Sequence, residues 1–338
     1  MAEEIIDIHL HFWAPNYPDN PEDGCYWSDK FTESLAFLAM RLVTNSLFGP
    51  LTFQRTKQHM LKIIANSKSI QKCVLLAMDK VYDENGNEHL LDRTHLYVPN
   101  HTLAKLAGEN DRILFGCSVH PFNPHWEEQI DFSLAHGAVL CKWIPSAQLI
   151  DPEHPQCIPF YEKLAHHKLP LLFHTGPELS IPTSDSNFNR FNNPAYMRQA
   201  LGKGVTVIFA NCALPFEPEL LDHYDPFLEL IKVFQEADQK GWEAYADLSA
   251  LFLLRESYIP CVIEDLPIHR LILGSDYPIP MVGLPTKKKL SAWDWLVQFA
   301  EIFKKENPLD RNLRLLKNQG FPDGVFTKAS DLFSQIER

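Results

Sequence analysis

Two histidines separated by a single residue follow the first apolar run of the chain. The segment 3–13 reads EEIIDIHLHFW, in which three isoleucines predict a short buried strand that ends in His9 and His11. Side chains two residues apart on a strand point to the same face, so these two imidazoles can bind one cation together. Imidazole is a preferred ligand of zinc and of similar metals. Taken alone, the pair is equally compatible with two surface histidines near the N-terminus.

Polar side chains also follow most of the later apolar runs of the sequence. They are His120, Lys142, His174, Asn211, Asp247 and Asp276. If the strands form a closed parallel barrel, their C-terminal ends meet at one mouth, where the active sites of such barrels lie. Burying such a set is costly unless the groups are paired or bind a metal. The set His9, His11, His174 and Asp276 fits a hydrolytic metal site with an open coordination position.

The elements that must position these residues are short apolar strands that alternate with helical segments. We expect strands near 5–9, 72–78, 113–119, 138–143, 171–174, 205–210, 243–248 and 270–274. We expect helices near 31–48, 52–67, 100–110, 126–136, 157–167, 194–202, 227–240, 258–265, 291–305 and 328–336. This alternation predicts a parallel sheet, and eight units predict a (β/α)8 TIM barrel, with an open doubly wound sheet as the alternative. The prediction is one domain over 1–338, with a helical insertion at 31–67 after strand 1 and a C-terminal helical segment at 309–338.

Composition limits the partners and the compartment. The chain has 338 residues, 45% of them hydrophobic, and a net charge of −12, so we expect no binding to nucleic acid or to an anionic membrane surface. No segment approaches the ~20 apolar residues of a membrane-spanning helix, and the acidic N-terminus does not resemble a signal peptide. The seven cysteines show no CxxC spacing, which favours a reduced, cytoplasmic protein without structural disulfides.

Several motifs in a fixed order give the sequence a specific resemblance. They are DIHLHFW, SVHPFNP, AVLCKWIPSAQLIDPEHP, PLLFHTGPE, YADLSAL and LILGSDYPIP, which together extend over residues 5–280. The chain resembles the amidohydrolase superfamily, in its amidohydrolase-related (amidohydrolase 2-like) branch of metal-dependent TIM-barrel hydrolases and decarboxylases. The resemblance implies a divalent metal, with Zn²⁺ favoured and one or two ions expected. It implies His9, His11, His174 and Asp276 as ligands, with Asp276 also accepting a proton from the attacking water.

Two positions leave the number of metal ions open. Lys142 stands where two-metal relatives use a carbamylated lysine as a bridging ligand and catalytic group. It could instead be an ammonium paired with Asp7 or Asp276, or one that binds a substrate carboxylate. Asn211 stands where the family normally places a histidine after strand 6. An amide is a poor zinc ligand and cannot shuttle protons, so Asn211 argues against an ordinary two-metal site.

The predicted reaction is hydrolysis, in which metal-activated water attacks a small ester, lactone or amide that bears a carboxylate. Arg255 is a candidate for binding that carboxylate because its guanidinium matches the anion, and a surface arginine is the alternative. Trp143, Tyr277 and Asn211 are further candidate substrate contacts, although both aromatic residues could simply belong to the core.

A non-oxidative decarboxylase and a non-catalytic ligand-binding barrel are the alternative functions. The expected partner is a small molecule, and the apolar insertion could supply a homodimer surface.

Overall fold

The core of the protein is one parallel sheet of eight strands. The structure is a computed structural model that describes residues 4–15, 24–44, 46, 51–217, 219–280 and 306–337. The strands follow one another in the sheet in the order of the sequence, and every pairing between neighbours is parallel. They are β1 (Ile6–His11), β2 (Lys72–Leu76), β3 (Ile113–Cys117), β4 (Ala138–Trp143), β5 (Leu171–Phe173), β6 (Val207–Phe209), β7 (Ala244–Asp247) and β8 (Leu271–Ile272).

The sheet closes on itself between β1 and the segment after β8. The backbone N–H of Ile8 donates to the carbonyl of Leu273 at 3.1 Å, and the N–H of His11 donates to that of Tyr277 at 2.8 Å. In return, the N–H of Asp276 donates to the carbonyl of His9 at 2.8 Å. The fold is therefore the predicted TIM barrel, and its closure places Asp276 beside the histidines of β1.

Apolar residues fill both sides of the barrel wall, as expected for parallel strands that are covered on both faces. An inner cluster includes Ile8, Leu140, Leu172 and Ile208, and it also receives Leu332 of the C-terminal helix. A larger cluster lies between the strands and the surrounding helices. The polar residues at the strand ends therefore lie directly above an apolar barrel interior.

Helices follow most of the strands and pack outside them. Their bounds are Asp29–Thr32, Leu35–Val43, Phe53–Asn66, Asn100–Gly108, Trp126–Ala135, Pro145–Gln148, Cys157–His166, Arg198–Gly202, Asp225–Lys240, Ile259–Asp265, Pro308–Asn318 and Asp323–Phe333. Shorter 3-10 segments lie at Ser186–Asn192, Pro194–Met197, Ala210–Ala213, Leu221–His223, Glu256–Tyr258 and Ile268–Arg270. The helix expected at 291–305 lies outside the described residues. No helix in the described ranges is long and apolar enough to cross a bilayer.

The segment between β1 and β2 forms part of the barrel mouth. A continuous helix was predicted from residue 31, but Ser34 begins a new helix there because its side chain accepts a hydrogen bond from the N–H of Phe37. The predicted helix end, at 47 and 48, lies outside the described part of the chain. The next helix begins where the sequence indicated, with Thr52 as its N-cap. A two-residue antiparallel ribbon joins Tyr26–Trp27 to Leu96–Tyr97.

Candidate metal centre

His9, His11 and Asp276 form a compact cluster at the barrel mouth. His9 Nε2 lies 3.1 Å from His11 Nε2. Asp276 Oδ1 lies 3.2 Å from His11 Nε2 and 3.5 Å from His9 Nε2. Within the described residues this is the group of histidine, cysteine and acidic side chains whose donor atoms converge closely enough to hold a metal ion.

The backbone of three neighbouring segments brings the cluster together. The register of β1 against β2 is irregular between Asp7 and Leu10, just where the two histidines begin to face inward. Asp276 follows β8 and has a positive φ of 65°, which turns the chain across the mouth. A Cβ at Gly274 would lie 3.1 Å from His9 Cβ and 3.2 Å from the Asp247 carboxyl. Glycine at this position therefore allows the close approach of the two residues.

Asp247, at the end of β7, fixes the orientation and tautomer of His9. His9 Nδ1 lies 2.7 Å from Asp247 Oδ2, and both side chains are buried. An ionised carboxylate only accepts hydrogen bonds, so Nδ1 carries a proton and Nε2 is the ring nitrogen that is left to bind a metal. Burial would raise the pKa of Asp247, but the charge of His9 and the hydrogen bonds from His9 and Ser249 hold it below its ordinary value. This carboxylate–histidine pair is the usual outer support of a metal ligand.

The other two donors have the charge states that metal binding requires. Burial lowers the pKa of His11 to about 4, which leaves its imidazole neutral at pH 7. Burial would raise the pKa of Asp276, but the neighbouring His9 and His11 and the charge of Lys142 hold it well below its ordinary value. The cluster therefore offers two imidazole nitrogens, of which that of His11 is neutral at pH 7, and one anionic oxygen.

These donors fit a divalent metal. Ligands at ~2.0–2.2 Å from one ion are separated from each other by roughly 2.9–3.5 Å in tetrahedral or octahedral arrangements. The separations of 3.1, 3.2 and 3.5 Å lie in that range. A cluster of two histidines and a carboxylate suits zinc and related cations.

Lys142 of β4 reaches the same cluster from inside the barrel. Its Nζ lies 3.2 Å from His9 Nε2, and the residue is fully buried. Burial lowers the pKa of Lys142 to about 8, although Asp247, Asp276 and Glu178 oppose the shift. Among the described residues Lys142 has no carboxylate within ion-pair distance, so neither predicted pairing, with Asp7 or with Asp276, is formed.

His174, at the end of β5, faces Glu178. His174 Nε2 is buried and makes no hydrogen bond, although Glu178 Oε2 lies 3.3 Å away. Burial lowers the pKa of His174 well below its ordinary value. Gly176 has a positive φ of 83° and turns the chain so that Glu178 returns toward the histidine. His174 is thus beside the cluster with a free nitrogen, but its donor atom is outside the compact group of His9, His11 and Asp276.

Asn211, after β6, supports the carboxylates of the site. Its Nδ2 donates to Asp276 Oδ2 at 3.3 Å, and its backbone N–H donates to Asp247 Oδ1 at 2.8 Å. Its φ of 59° lies in the left-handed region, which asparagine adopts more readily than most residues. Its Oδ1 is buried without a hydrogen-bond partner, which leaves one acceptor free at the site.

A cavity opens above the cluster. Its polar wall contains His11, His174, Glu178, Asn211, Arg255 and Asp276. Its apolar wall includes Trp13, Phe31, Met40, Ile144, Leu253 and Ile279. The cavity can therefore accept a molecule with one charged end and an apolar body.

Arg255 is the cationic group of this wall. It is 2% exposed, its Nε donates to the carbonyl of Pro215 at 3.3 Å, and its guanidinium lies 4.2 Å from the ring centre of Phe216. Burial lowers its pKa, although the nearby Asp276 carboxylate opposes the shift. Among the described residues, neither terminal nitrogen of Arg255 has a hydrogen-bond acceptor or an ion-pair partner. Arg255 is therefore not the surface arginine that the sequence left open as an alternative.

Trp143 and Tyr277 lie away from the cavity. The indole N–H of Trp143 donates to the carbonyl of Val119 at 2.8 Å, and its ring stacks on Phe160 outside the barrel wall. The Tyr277 hydroxyl lies 2.7 Å from His59 Nε2, on the side of the helix Phe53–Asn66. The geometry gives no support to their predicted role as substrate contacts.

His120 also lies outside the cluster. Its Nε2 bonds to the carbonyl of Gln148 at 2.9 Å, and its backbone N–H donates to Asp79 Oδ2 at 2.7 Å. Burial lowers the pKa of His120 to about 3. This histidine is a structural one, with its hydrogen bonds satisfied.

Two residues of the site were not assigned roles from the sequence. Asp247 and Glu178 lie inside the motifs YADLSAL and PLLFHTGPE, but only the strand-end position of Asp247 pointed to it. For Glu178 the available signal was Gly176, because a glycine shortly after a strand permits the turn that returns the chain.

Comparison with known proteins identifies the family. A sequence model described as amidohydrolase matches residues 6–301, and the chain belongs to this family, the amidohydrolase 2 branch of the amidohydrolase superfamily. A search of curated protein sequences gave no match.

Solved structures share the fold at low sequence identity. A putative 2-pyrone-4,6-dicarboxylic acid hydrolase from Pseudomonas putida is 13% identical, with a TM-score of 0.54 over 99% of each chain. The 5-carboxyvanillate decarboxylase from Sphingomonas paucimobilis is 11% identical, with a TM-score of 0.56 over 99% of this chain and 100% of that one. A TIM-barrel protein from Bordetella bronchiseptica is 16% identical, with a TM-score of 0.54 over 94% of this chain and 99% of that one.

Proposed function

We propose that this protein is a metal-dependent hydrolase of a small ester, lactone or amide that carries a carboxylate. One observation carries the proposal. His11 and Asp276 of the cluster line the same cavity as Arg255, whose terminal guanidinium nitrogens have no acceptor among the described residues. A buried cation without an acceptor is costly, and a substrate carboxylate is the group that a guanidinium matches best.

The donor set favours Zn²⁺, with His9, His11 and Asp276 as ligands and His174 as a further candidate. When bound, a divalent cation polarises a substrate carbonyl and lowers the pKa of water from 15.7 to about 7. A carbamate on Lys142 remains part of the proposal for a second ion. The pKa of about 8 leaves a fraction of this amine neutral near pH 7, as reaction with CO₂ requires.

The chain's own residues would position the substrate and move a proton. Arg255 would hold the carboxylate, so that the rest of the substrate lies between the cluster and the apolar wall. Asp276 is ionised, and its Oδ2, which Asn211 holds, could accept a proton from water and return it to the leaving group. The apolar wall of Trp13, Phe31 and Met40 would limit the access of bulk water.

Asn211 supports non-oxidative decarboxylation as the second candidate. Its amide cannot shuttle protons as a histidine would, and hydrolysis by a two-metal mechanism normally uses a histidine at that position. Decarboxylation needs one metal and a bound carboxylate, both of which the cavity could hold. The names of two structurally similar proteins, a dicarboxylic acid hydrolase and a carboxyvanillate decarboxylase, are consistent with either reaction.

The test is an assay of the zinc-loaded protein with ester, lactone and amide libraries and with aromatic carboxylic acids, in water enriched in ¹⁸O. Hydrolysis predicts incorporation of ¹⁸O into a carboxylate product. Release of CO₂ without incorporation would establish the decarboxylase instead. If zinc binds but no library compound reacts, the non-catalytic barrel gains support.

Matched histidine variants distinguish the loss of a metal ligand from the effect of replacing any histidine of the protein. His9→Asn and His11→Asn should lower the zinc content, measured by elemental analysis, and abolish the activity. His125→Asn is the control, because the side chain of His125 is 76% exposed and remote from the cluster. Full activity of the His9→Asn variant without bound metal would refute the proposal.

A further inference from the structure

Glu178 carries a charged oxygen that the protein itself does not use. Its Oε1 accepts hydrogen bonds from the backbone N–H groups of Ser180 at 2.6 Å and Ile181 at 2.9 Å. Its Oε2 receives no hydrogen bond from any described residue, and His174 Nε2, which lies 3.3 Å away within ion-pair distance, lacks hydrogen-bond geometry. One oxygen thus shapes the loop, and the other faces the cavity.

The structural role of Glu178 does not require a carboxylate. The bonds to Ser180 and Ile181 need one acceptor oxygen, which the amide of a glutamine would also provide. The side chain is only 7% exposed, and burial raises the pKa of its carboxyl group, because burying a charge costs free energy unless the charge is paired. The hydrogen bonds within the loop therefore do not explain why an acidic residue stands at position 178.

The cavity holds complementary groups that are unused. Asn211 Oδ1 is a second buried acceptor without a partner, and it lines the same cavity as Glu178. Arg255 supplies donors without an acceptor in that cavity. The Glu178 carboxylate and the Arg255 guanidinium do not form an ion pair with each other, so each remains free for a ligand.

We propose that Glu178 is a specificity-determining residue that accepts a hydrogen bond from a hydroxyl or ammonium group of the substrate while Arg255 binds its carboxylate. The inference rests on the proposed function, because it takes the carboxylate-binding role of Arg255 as given. It narrows the substrate class to hydroxy or amino monocarboxylates. A dicarboxylate would place its second anion against Glu178, and the repulsion between like charges would disfavour it.

The apolar wall determines which probes are suitable. Trp13, Phe31, Met40 and Leu253 line the cavity and offer apolar surface to a phenyl ring. Phenylacetate, mandelate, phenylglycine and phenylmalonate share this ring and one carboxylate. They differ only in the second group on one carbon, which is hydrogen, hydroxyl, ammonium or carboxylate.

Equilibrium dissociation constants of the four probes, measured by titration calorimetry on the zinc-loaded protein, test the proposal without requiring turnover. We expect mandelate or phenylglycine to bind about 10–100-fold more tightly than phenylacetate, the range of a hydrogen bond to a charged group. Phenylmalonate should bind most weakly. Glu178→Gln should remove the preference for the donor group and improve the binding of phenylmalonate about tenfold.

The control is Glu217→Gln, because Glu217 also accepts a hydrogen bond from a backbone N–H, that of Ser257 at 2.9 Å, without lining the cavity. This variant should keep the wild-type ranking. An unchanged ranking in Glu178→Gln, or tight binding of phenylmalonate by the wild type, would overturn the inference about Glu178 but not the proposed function. If none of the four acids binds, both the inference and the carboxylate role of Arg255 fail. Ranked binding without turnover of any library compound would refute the proposed reaction and leave the inference standing.

Discussion

Replacing Asp247 by asparagine should disable the metal cluster through the tautomer of His9. Asp247 Oδ1 accepts hydrogen bonds from the N–H of Asn211 at 2.8 Å and the N–H of Ser249 at 3.1 Å, and also from the Ser249 hydroxyl. In the variant the carbonyl oxygen must keep this position, because an NH₂ group there would oppose two backbone donors. The NH₂ group then faces His9 Nδ1.

The consequence follows from the hydrogen bond of 2.7 Å between His9 and Asp247 Oδ2. An NH₂ group donates, so His9 Nδ1 must accept and the proton moves to Nε2, the atom that faces the cluster. Loss of such an outer partner typically lowers metal affinity ~10–100-fold, or about 1.4–2.8 kcal/mol. The inverted tautomer should place Asp247→Asn at the upper end of this range.

A competition titration of zinc against a chelating dye measures the effect. Asp247→Ala should lose less affinity than Asp247→Asn, although it is the less conservative change, because it removes the acceptor without forcing the tautomer. Asp238→Asn is the matched control, since Asp238 pairs with Arg270 at 2.6 Å on the outside of the barrel. Wild-type zinc affinity in Asp247→Asn, or a larger loss in Asp247→Ala among folded variants, would refute the reasoning.

Three further predictions concern binding and stability. Arg255→Met should weaken the binding of phenylacetate about 10–100-fold, by the range of a charged hydrogen bond, while zinc affinity stays unchanged; equal loss of both in calorimetry would contradict the assigned role. His95→Ala should lower the free energy of unfolding in urea by about 1–3 kcal/mol, because His95 Nδ1 bonds to Ser28 at 2.8 Å and Nε2 to Ser184 at 2.9 Å. Burial raises the pKa of Asp79 to about 6 from 3.8, so its contribution to stability is present below pH 3.8 and is lost as the pH rises through 6. The stability of Asp79→Asn relative to the wild type should therefore increase by about 2 kcal/mol between pH 4 and 7, and a pH-independent difference in denaturant titrations would contradict this.

The strands could be predicted because their physical signal is local. Each is a short apolar run, and a parallel strand that is covered on both faces has to be apolar along its length. Ala138–Trp143 was predicted with its observed bounds, and Lys72–Leu76 within two residues. The division of the predicted helix near residue 31 depends on one hydrogen bond of Ser34, a signal that the apolar period hides.

The side-chain directions were harder to predict. The alternation of side chains along a strand can be read from the local sequence, but an irregular register between two strands cannot. Adjacent residues on a strand face opposite sides, so Lys142 and Trp143 could not both face the mouth, and the structure turns Trp143 outward. On β1 the simple alternation fails, because two adjacent residues face the same side. Ile8 belongs to the inner cluster and His9 also faces inward, which the irregular register of β1 against β2 permits. That irregularity arises from a strand more than 60 residues away in sequence, so it has no local signature.

The charges of the site favour a substrate with one carboxylate over a dicarboxylate whichever state Lys142 adopts. Asp247, Asp276 and Glu178 are three acidic groups and Lys142 and Arg255 are two basic groups, which together carry one negative charge when all five are ionised. One divalent metal changes this to one positive charge. A carbamate on Lys142 would add two negative charges relative to the ammonium, and a second divalent ion would restore the same balance. In both cases one carboxylate neutralises the site, whereas a dicarboxylate would leave one negative charge in excess, and uncompensated buried charge is costly.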